Sequence, residues 1–221
     1  MSVTDIHLSK TGKVSDKWES YLHFYDTEFS RYKHLKLNLL EIGIQNGGSL
    51  ETWAEYFPFA KHIIGVDIDP KCANLTFSDE RVCVHVADAA ELDLDIQLNI
   101  IIDDGSHTSS DIVRNFQKWW PRLLPGGLYV VEDFHTMWMP GYGSGALDFF
   151  QDMVVDLNTK RGKHKDVCRL EFRNSLVLLQ KGSPELGQRL VTGSDASVNP
   201  AVLALGRRQE LPLKEIRAIV A

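Results

Sequence analysis

Five short runs built almost wholly of Val, Ile and Leu recur along the chain: Leu37 to Ile44, Ile63 to Asp67, Val82 to Val86, Ile100 to Asp103 and Leu128 to Glu132. A strand that is apolar on both faces has to be covered on both faces, which is the situation of an interior strand in a parallel sheet. Helical expectations fall between the runs: Leu50 to Tyr56, a short piece after Pro70, a weak one near Ala89, and Ser110 to Trp120, which Pro121 stops. The Pro125-Gly126-Gly127 turn leads into the fifth strand. Strands alternating with helices give an α/β fold with a doubly wound sheet.

Beyond the fifth strand, Ala146 to Thr159 reads as a helix, and Val167 to Phe172 and Ser175 to Gln180 as two strands. The Arg173-Asn174 pivot between them is short enough for a hairpin, so this pair is antiparallel. The expectation is a mostly parallel seven-stranded sheet with an antiparallel C-terminal hairpin. Ahead of the first strand, Ser15 to Tyr32 carries Trp18, Tyr21, Tyr25, Phe29 and Tyr32 three or four positions apart, one aromatic stripe on a helix. Such a helix packs across the sheet or a partner subunit, or serves as a lid with Lys17 or Tyr21 reaching into a pocket. The chain thus divides into an N-terminal helical lid or oligomer segment (1–35), a nucleotide-fold domain (36–182) and a tail (183–221). That tail ends in an amphipathic segment, Leu213 to Val220, read as a surface or oligomer contact.

Composition narrows the class of partner. A chain of 221 residues, 43% hydrophobic, suits one large α/β domain with a sizeable core. A formal charge of -6 and no sustained Lys/Arg block, only the small His34 to Lys36 cluster, speak against nucleic acid or an anionic membrane as partner. No run approaches the roughly 18 apolar residues of a membrane span, and the first residues lack a signal-peptide core. Cys72, Cys83 and Cys168 are widely spaced with no CxxC pattern, as expected of reduced thiols in a cytoplasmic protein.

Glu41-Ile-Gly-Ile-Gln-Asn-Gly-Gly-Ser49 follows the first strand and opens a helix. Glycines there allow a tight turn and a close backbone approach to a ligand. Asp67 ends the second strand, where an acid can bond both ribose hydroxyls, and Asp88 follows the third, within reach of an adenine amino group. Gln45 stands at the middle glycine position of the dinucleotide fingerprint, which weakens an NAD-linked reading, since a pyrophosphate needs that approach.

Asp103 and Asp104 end the fourth strand and Glu132 and Asp133 the fifth, with His107 and His135 close behind. Acids at strand ends can simply cap a helix, as Thr108 or Asp111 could here. Four on adjacent strand ends repel one another and raise each other's pKa unless a cation sits among them. Hard oxygen ligands suit Mg²⁺, and a histidine beside such a metal can take the proton of a hydroxyl that the metal acidifies. His135 is outward-facing or a substrate or secondary base. Trp138 and Tyr142, in a loop with glycines at 141, 143 and 145, could stack on a flat acceptor and close over it, or simply pack on the surface.

The pairing of Asp103-Asp-Gly-Ser-His107 with Val131-Glu-Asp-Phe-His-Thr136 resembles the metal-dependent sugar O-methyltransferases of macrolide antibiotic biosynthesis, the mycinamicin type, within the class I S-adenosylmethionine methyltransferases. Ser15-Asp-Lys-Trp18, Tyr21 and Tyr25 are similar to that family's segment ahead of the sheet, and the likeness covers roughly residues 14 to 182. The resemblance implies a Rossmann-like methyltransferase fold, with Asp104, Glu132 and Asp133 as Mg²⁺ ligands and His107 as general base. It also implies S-adenosyl-L-methionine held among Glu41, Gly43, Asn46, Gly47, Ser49, Asp67, Asp88 and Asp103. The acceptor would be a hydroxyl of a sugar or glycosylated natural product, with Lys17, Tyr21, His135, Trp138 and Tyr142 as substrate or lid residues and a homo-oligomer as the assembly. The rival reading from another class is a non-catalytic nucleotide-binding partner subunit of a biosynthetic complex.

Overall fold

In the computed structural model, which describes residues 1–159 and 162–182, the apolar runs lie side by side in one seven-stranded sheet. The strands are β1 (Asn38–Ile42), β2 (His62–Asp67), β3 (Val82–Val86), β4 (Leu98–Asp103), β5 (Leu123–Val131), β6 (Val167–Arg173) and β7 (Leu176–Lys181), in the order β3-β2-β1-β4-β5-β7-β6. Pairings from β3 to β5 are all parallel, while β7 is antiparallel to both β5 and β6. The seven-stranded, mostly parallel sheet with an antiparallel C-terminal hairpin is therefore as expected. The chain leaves β1 in one direction for β2 and β3 and in the other for β4 and β5, so the crevice at the carboxyl ends of β1 and β4 is the switch point where such sheets bind ligands.

Both sheet faces are covered, as the unbroken apolar strands require. On one side, α1 (Val3–Ser9), α2 (Glu19–Phe29) and α3 (Gly48–Tyr56) bury Tyr25, Phe29, Trp53 and Phe57 against Leu39, Ile100, Ile102 and Val130. These rings meet edge-on or tilted, with centroids 4.7–5.6 Å apart. On the other side, α4 (Ser109–Trp119) and α5 (Gly145–Thr159) bury Phe116, Trp119, Phe150 and Met153 against Leu40, Ile101, Tyr129 and Val131. The apolar segments that build this two-faced core are individually worth a few kcal/mol at most per side chain, and it is their number that holds the layers together.

Four local expectations change. The aromatic stripe does not form one helix from Ser15: α2 begins at Glu19, ends at Phe29 and continues as a 3₁₀ turn over Ser30–Tyr32. Residues 10–18 instead run as an irregular strap on α3, because Lys10 and Lys13 bind Glu51 at 2.6 and 3.0 Å. Trp18 therefore leaves the stripe and is 63% exposed. No helix forms near Ala89; Asp88 accepts from Glu91 N and Leu92 N in a single turn. The Pro125-Gly126-Gly127 segment lies inside β5, where the register shifts between Leu98↔Leu123 and Ile100↔Leu128 and Gly126 takes φ +83°. The hairpin pivot is Asn174-Ser175, with Ser175 at φ +66°, since a two-residue turn needs a left-handed backbone.

Neither the 3₁₀ turn over Phe134–Trp138 nor α1 was expected from the sequence. α1 starts on a capping box in which Ser2 Oγ accepts from Asp5 N and Asp5 accepts from Ser2 N, both at 2.9 Å. Asp26 of α2 accepts from Thr4 Oγ1 at 2.6 Å and so docks the two helices. No helix among the described residues is long and apolar enough to cross a membrane. Leu213 to Val220, the expected amphipathic tail segment, lies outside the described residues.

Candidate active site

Strand register lines up the candidate residues. Ile42 pairs with Asp103, and Asp103 with Val131, so the next residues, Gly43, Asp104 and Glu132, leave the sheet side by side. Alternation along the strands then sorts the acids by face. Glu41, Asp104 and Glu132 continue the face of Leu39, Ile102 and Val130, towards α2. Asp103 falls on the opposite face, where Asn115 Nδ2 of α4 donates to it at 3.3 Å and Tyr129 OH at 3.1 Å. Burial pushes Asp103 up to about 7. It stands behind Asn115, which reaches the cavity wall where Asp103 does not.

On the α2 face the acids surround one cation. Lys17 Nζ, at the end of the strap, lies 2.5 Å from Asp104 Oδ2 and 2.9 and 2.8 Å from the two oxygens of Glu132. Its side chain is only 6% exposed. Burial works against its charge, but Glu132, Asp104 and Glu41 outweigh that and raise its pKa. Tyr25 OH donates to Glu132 Oε1 at 2.5 Å. Burial still pushes Glu132 up to about 7 and Asp104 up to about 6, against the pull of Lys17. One ammonium is too little charge for this many carboxylates.

Two turns with left-handed backbones bring the third acid and the histidine to the same place. His107 has φ +57° and Asp133 φ +49°, a conformation that costs a side-chain-bearing residue on the order of 1–2 kcal/mol. Thr136 Oγ1 lies 3.1 Å from the carbonyl oxygen of His107 and 2.9 Å from that of Asp133, tying the turns together. Tyr21 OH lies 2.8 Å from Asp133 Oδ1, and Asp133 N donates back to it at 3.1 Å. His107 Nε2 is 3.8 Å from Asp133 Oδ2. Burial lowers the His107 pKa, with Asp133 and Glu132 opposing, so the imidazole is neutral at neutral pH. His135 holds its Nδ1 on Ser175 Oγ, 3.9 Å from Asp133 Oδ1.

Ligand atoms of Asp104, His107 and Asp133 all lie within 4.8 Å of one another. Magnesium with oxygens at about 2.1 Å separates opposite ligands by about 4.2 Å, so a small side-chain adjustment brings the Asp104 and Asp133 carboxylates onto such an ion with the imidazole beside it. The donor chemistry fits a hard divalent cation. Glu132, expected as a third carboxylate ligand, faces Lys17 and Tyr25 in this arrangement.

A cavity of about 570 Å³ opens beside this cluster, lined by Gly43, Asp67, Asp88, Asp104, His107, Asn115 and Asp133 among others. It brings together the expected donor residues Gly43, Asp67 and Asp88 with the expected metal and base residues. Asp67 Oδ2 accepts from Ile44 N and Gln45 N, both at 2.9 Å, and so shapes the glycine turn. Asp88 pairs with Arg114 at 3.1 Å. Glu41, Asn46, Gly47 and Ser49 lie off the cavity wall. Ser49 Oγ donates to Glu41 Oε2 at 2.6 Å, Asn46 Oδ1 accepts from Gly48 N at 3.1 Å, and Gly47, at φ +79°, faces Phe77. Trp138 is 73% exposed and does not line the cavity, and the Tyr142 carbonyl accepts from Ser109 N at 2.8 Å. Thr136, Ser175 and Asn115 escaped the sequence reading. Of these, Thr136 stands in the Val131-to-Thr136 motif, and Ser175 stands at the start of an expected strand.

Comparison with known proteins bears on this edge of the sheet. Residues 40–134, from β1 to the turn after Asp133, match the family described as a methyltransferase domain. This stretch is a methyltransferase domain. The methyltransferase domain holds the glycine turn, Asp67, Asp88, Asp104, His107, Glu132 and Asp133 in one unit. The chain is 34% identical over 216 residues to an 8-demethyl-8-(2-methoxy-alpha-L-rhamnosyl)-tetracenomycin-C 3'-O-methyltransferase of Streptomyces olivaceus, covering 89% of this chain and 53% of that protein. It is 30% identical over 205 residues to a mycinamicin VI 2''-O-methyltransferase of Micromonospora griseorubida, covering 86% and 50%. The chain spans about half the length of these curated relatives. A methyltransferase of the mycinamycin biosynthetic pathway, solved with Mg, SAH and mycinamycin VI, superposes with a TM-score of 0.70 at 23% identity, covering 86% of this chain and 56% of that one. The methyltransferase domain thus shares its fold with that enzyme.

Proposed function

We propose that the chain is an S-adenosylmethionine- and Mg²⁺-dependent O-methyltransferase acting on a hydroxyl of a sugar in a glycosylated natural product. The observation that carries this reading is the convergence of Asp104, His107 and Asp133 within 4.8 Å in the wall of a cavity that Asp67 and Asp88 also line. The relatives named above are sugar O-methyltransferases by description, which supports the same acceptor class.

In this reading Asp67 and Asp88 face the ribose and adenine of the donor, and Gly43 lets the cavity floor lie close to it. Asp104 and Asp133, with Glu132, would hold Mg²⁺, which supplies a charge that lowers the pKa of the acceptor hydroxyl. His107, kept neutral by burial, takes the hydroxyl proton on an imidazole nitrogen. The oxygen forms a bond to the methyl carbon as the carbon–sulfur bond breaks, leaving the neutral thioether. Tyr21 and Thr136 hold Asp133 and the His107 turn in place, so that little reorganisation is left for the reaction.

A methyl-transfer assay with labelled S-adenosylmethionine and a panel of rhamnosyl and deoxysugar glycosides tests the proposal. Transfer that EDTA abolishes and Mg²⁺ restores is expected. Tight donor binding with no transfer to any glycoside would instead favour a non-catalytic subunit.

A further inference from the structure

The most unusual feature of the site is that two of its carboxylates, Asp104 and Glu132, already hold a cationic side chain from outside the methyltransferase domain. Lys17 Nζ takes Asp104 Oδ2 and both oxygens of Glu132, and Tyr25 OH takes Glu132 Oε1 again. Glu132 consequently stands apart from the Asp104, His107 and Asp133 set. We infer that Lys17 and a divalent cation compete for Asp104 and Glu132, so that cation binding releases the strap of residues 10–18 from the site.

The inference rests on the reading of Asp104, Glu132 and Asp133 as metal ligands, and it concerns what this chain does before the metal arrives. Carboxylate oxygens that close on a divalent ion at about 2.1 Å cannot also keep an ammonium at hydrogen-bond distance on the same lone pairs. The doubly charged ion has the stronger Coulomb attraction at the shorter distance. Exchange frees Glu132 to complete a three-carboxylate set.

The remaining anchors of the strap are suited to letting go. Lys10 and Lys13 hold Glu51, Lys13 Nζ also donates to the Thr76 carbonyl at 2.6 Å, and the same ammonium lies 4.4 Å from the Phe77 ring centroid. Ion pairs this close to solvent contribute little each, whereas the Lys17 contacts are buried. Lys17 is thus the one fastening of the strap that a cation at Asp104 and Glu132 would contest directly. Asp16, its neighbour, lines the cavity, so release of the strap also withdraws part of the cavity wall.

The test uses the full chain with Mn²⁺ as probe, its affinity read by calorimetry, and trypsin cleavage between Lys10 and Trp18 as the report on the strap. Lys17→Met is expected to raise Mn²⁺ affinity about tenfold. Glu51→Gln, which loosens the strap without touching any carboxylate of the site, is expected to raise it about threefold and keeps the test decisive if Lys17→Met folds poorly. Mn²⁺ should accelerate cleavage of the wild-type strap. Equal Mn²⁺ affinity in wild type and Glu51→Gln with cleavage indifferent to Mn²⁺, or weaker Mn²⁺ binding in Lys17→Met, overturns the inference while leaving the metal reading intact. Absence of Mn²⁺ binding to all three proteins removes both.

Discussion

A Cβ on Gly43 would stand 2.1 Å from the carbonyl oxygen of Asp104. The glycine turn after β1 is therefore pressed against the chain that carries the metal and base candidates, and the closeness serves protein backbone as much as any ligand. Gly43 also has φ +82°. Gly43→Ala combines a backbone clash with a left-handed alanine and is expected to cost more than about 3 kcal/mol, read as a fall in urea midpoint. Gly126→Ala is the control: φ +83° with nothing within 4 Å of the added carbon, for about 1 kcal/mol.

His107→Ala is expected to lower kcat by roughly 10²–10⁴, the usual contribution of a general base. S-adenosylmethionine affinity by calorimetry should change little, because in the proposed mechanism His107 acts on the acceptor and not on the donor. Full activity in this variant would remove His107 from the mechanism.

Thr136→Val deletes the hydroxyl that spans the His107 and Asp133 carbonyls at 3.1 and 2.9 Å while keeping the side-chain volume. Loss of a buried hydrogen bond costs about 1–2 kcal/mol of stability. With both left-handed turns loosened, kcat should drop on the order of tenfold with donor affinity unchanged. Thr136→Ser, which restores the hydroxyl, should recover most of the rate.

Glu51 links pH to the strap. Some burial pushes its carboxyl up, but hydrogen bonds from Lys10 and Lys13 win and lower it from 4.5 to about 2. A folded-state pKa below the unfolded value means that the stabilisation is complete above pH 4.5 and disappears as pH falls towards 2. Glu51→Gln should therefore unfold more easily than wild type by about 1 kcal/mol at pH 7, a difference discounted for partial exposure. Thermal melts across pH should show that gap closing below about pH 4.

Much of the site was legible in sequence because parallel strands end in register. Once Leu37 to Ile44, Ile100 to Asp103 and Leu128 to Glu132 are read as neighbours, the residues after them must meet at one edge, and Gly43, Asp104, Glu132 and Asp133 do. The period-2 alternation of a strand also separates Asp103 from Asp104. Lys17 was suspected of reaching the pocket, but its partner Glu132 lies 115 positions away, and no local pattern encodes that pairing. The beginning of α2 was misread for a related reason: the aromatic spacing around Trp18 is helical, but Glu51 and Gly48 of α3 hold residues 10–18 in another path.

Local chemistry thus determined the strands and the glycine turn and acids placed at their ends, because burial on two faces leaves a parallel sheet as the outlet for such runs. Only the tertiary structure decided what those acids pair with. Glu132 turns to Lys17 and Tyr25, Asp133 to Tyr21, and Asp103 to Asn115 on the far face, since charge compensation in a buried cluster depends on distances across elements that sequence separation does not record.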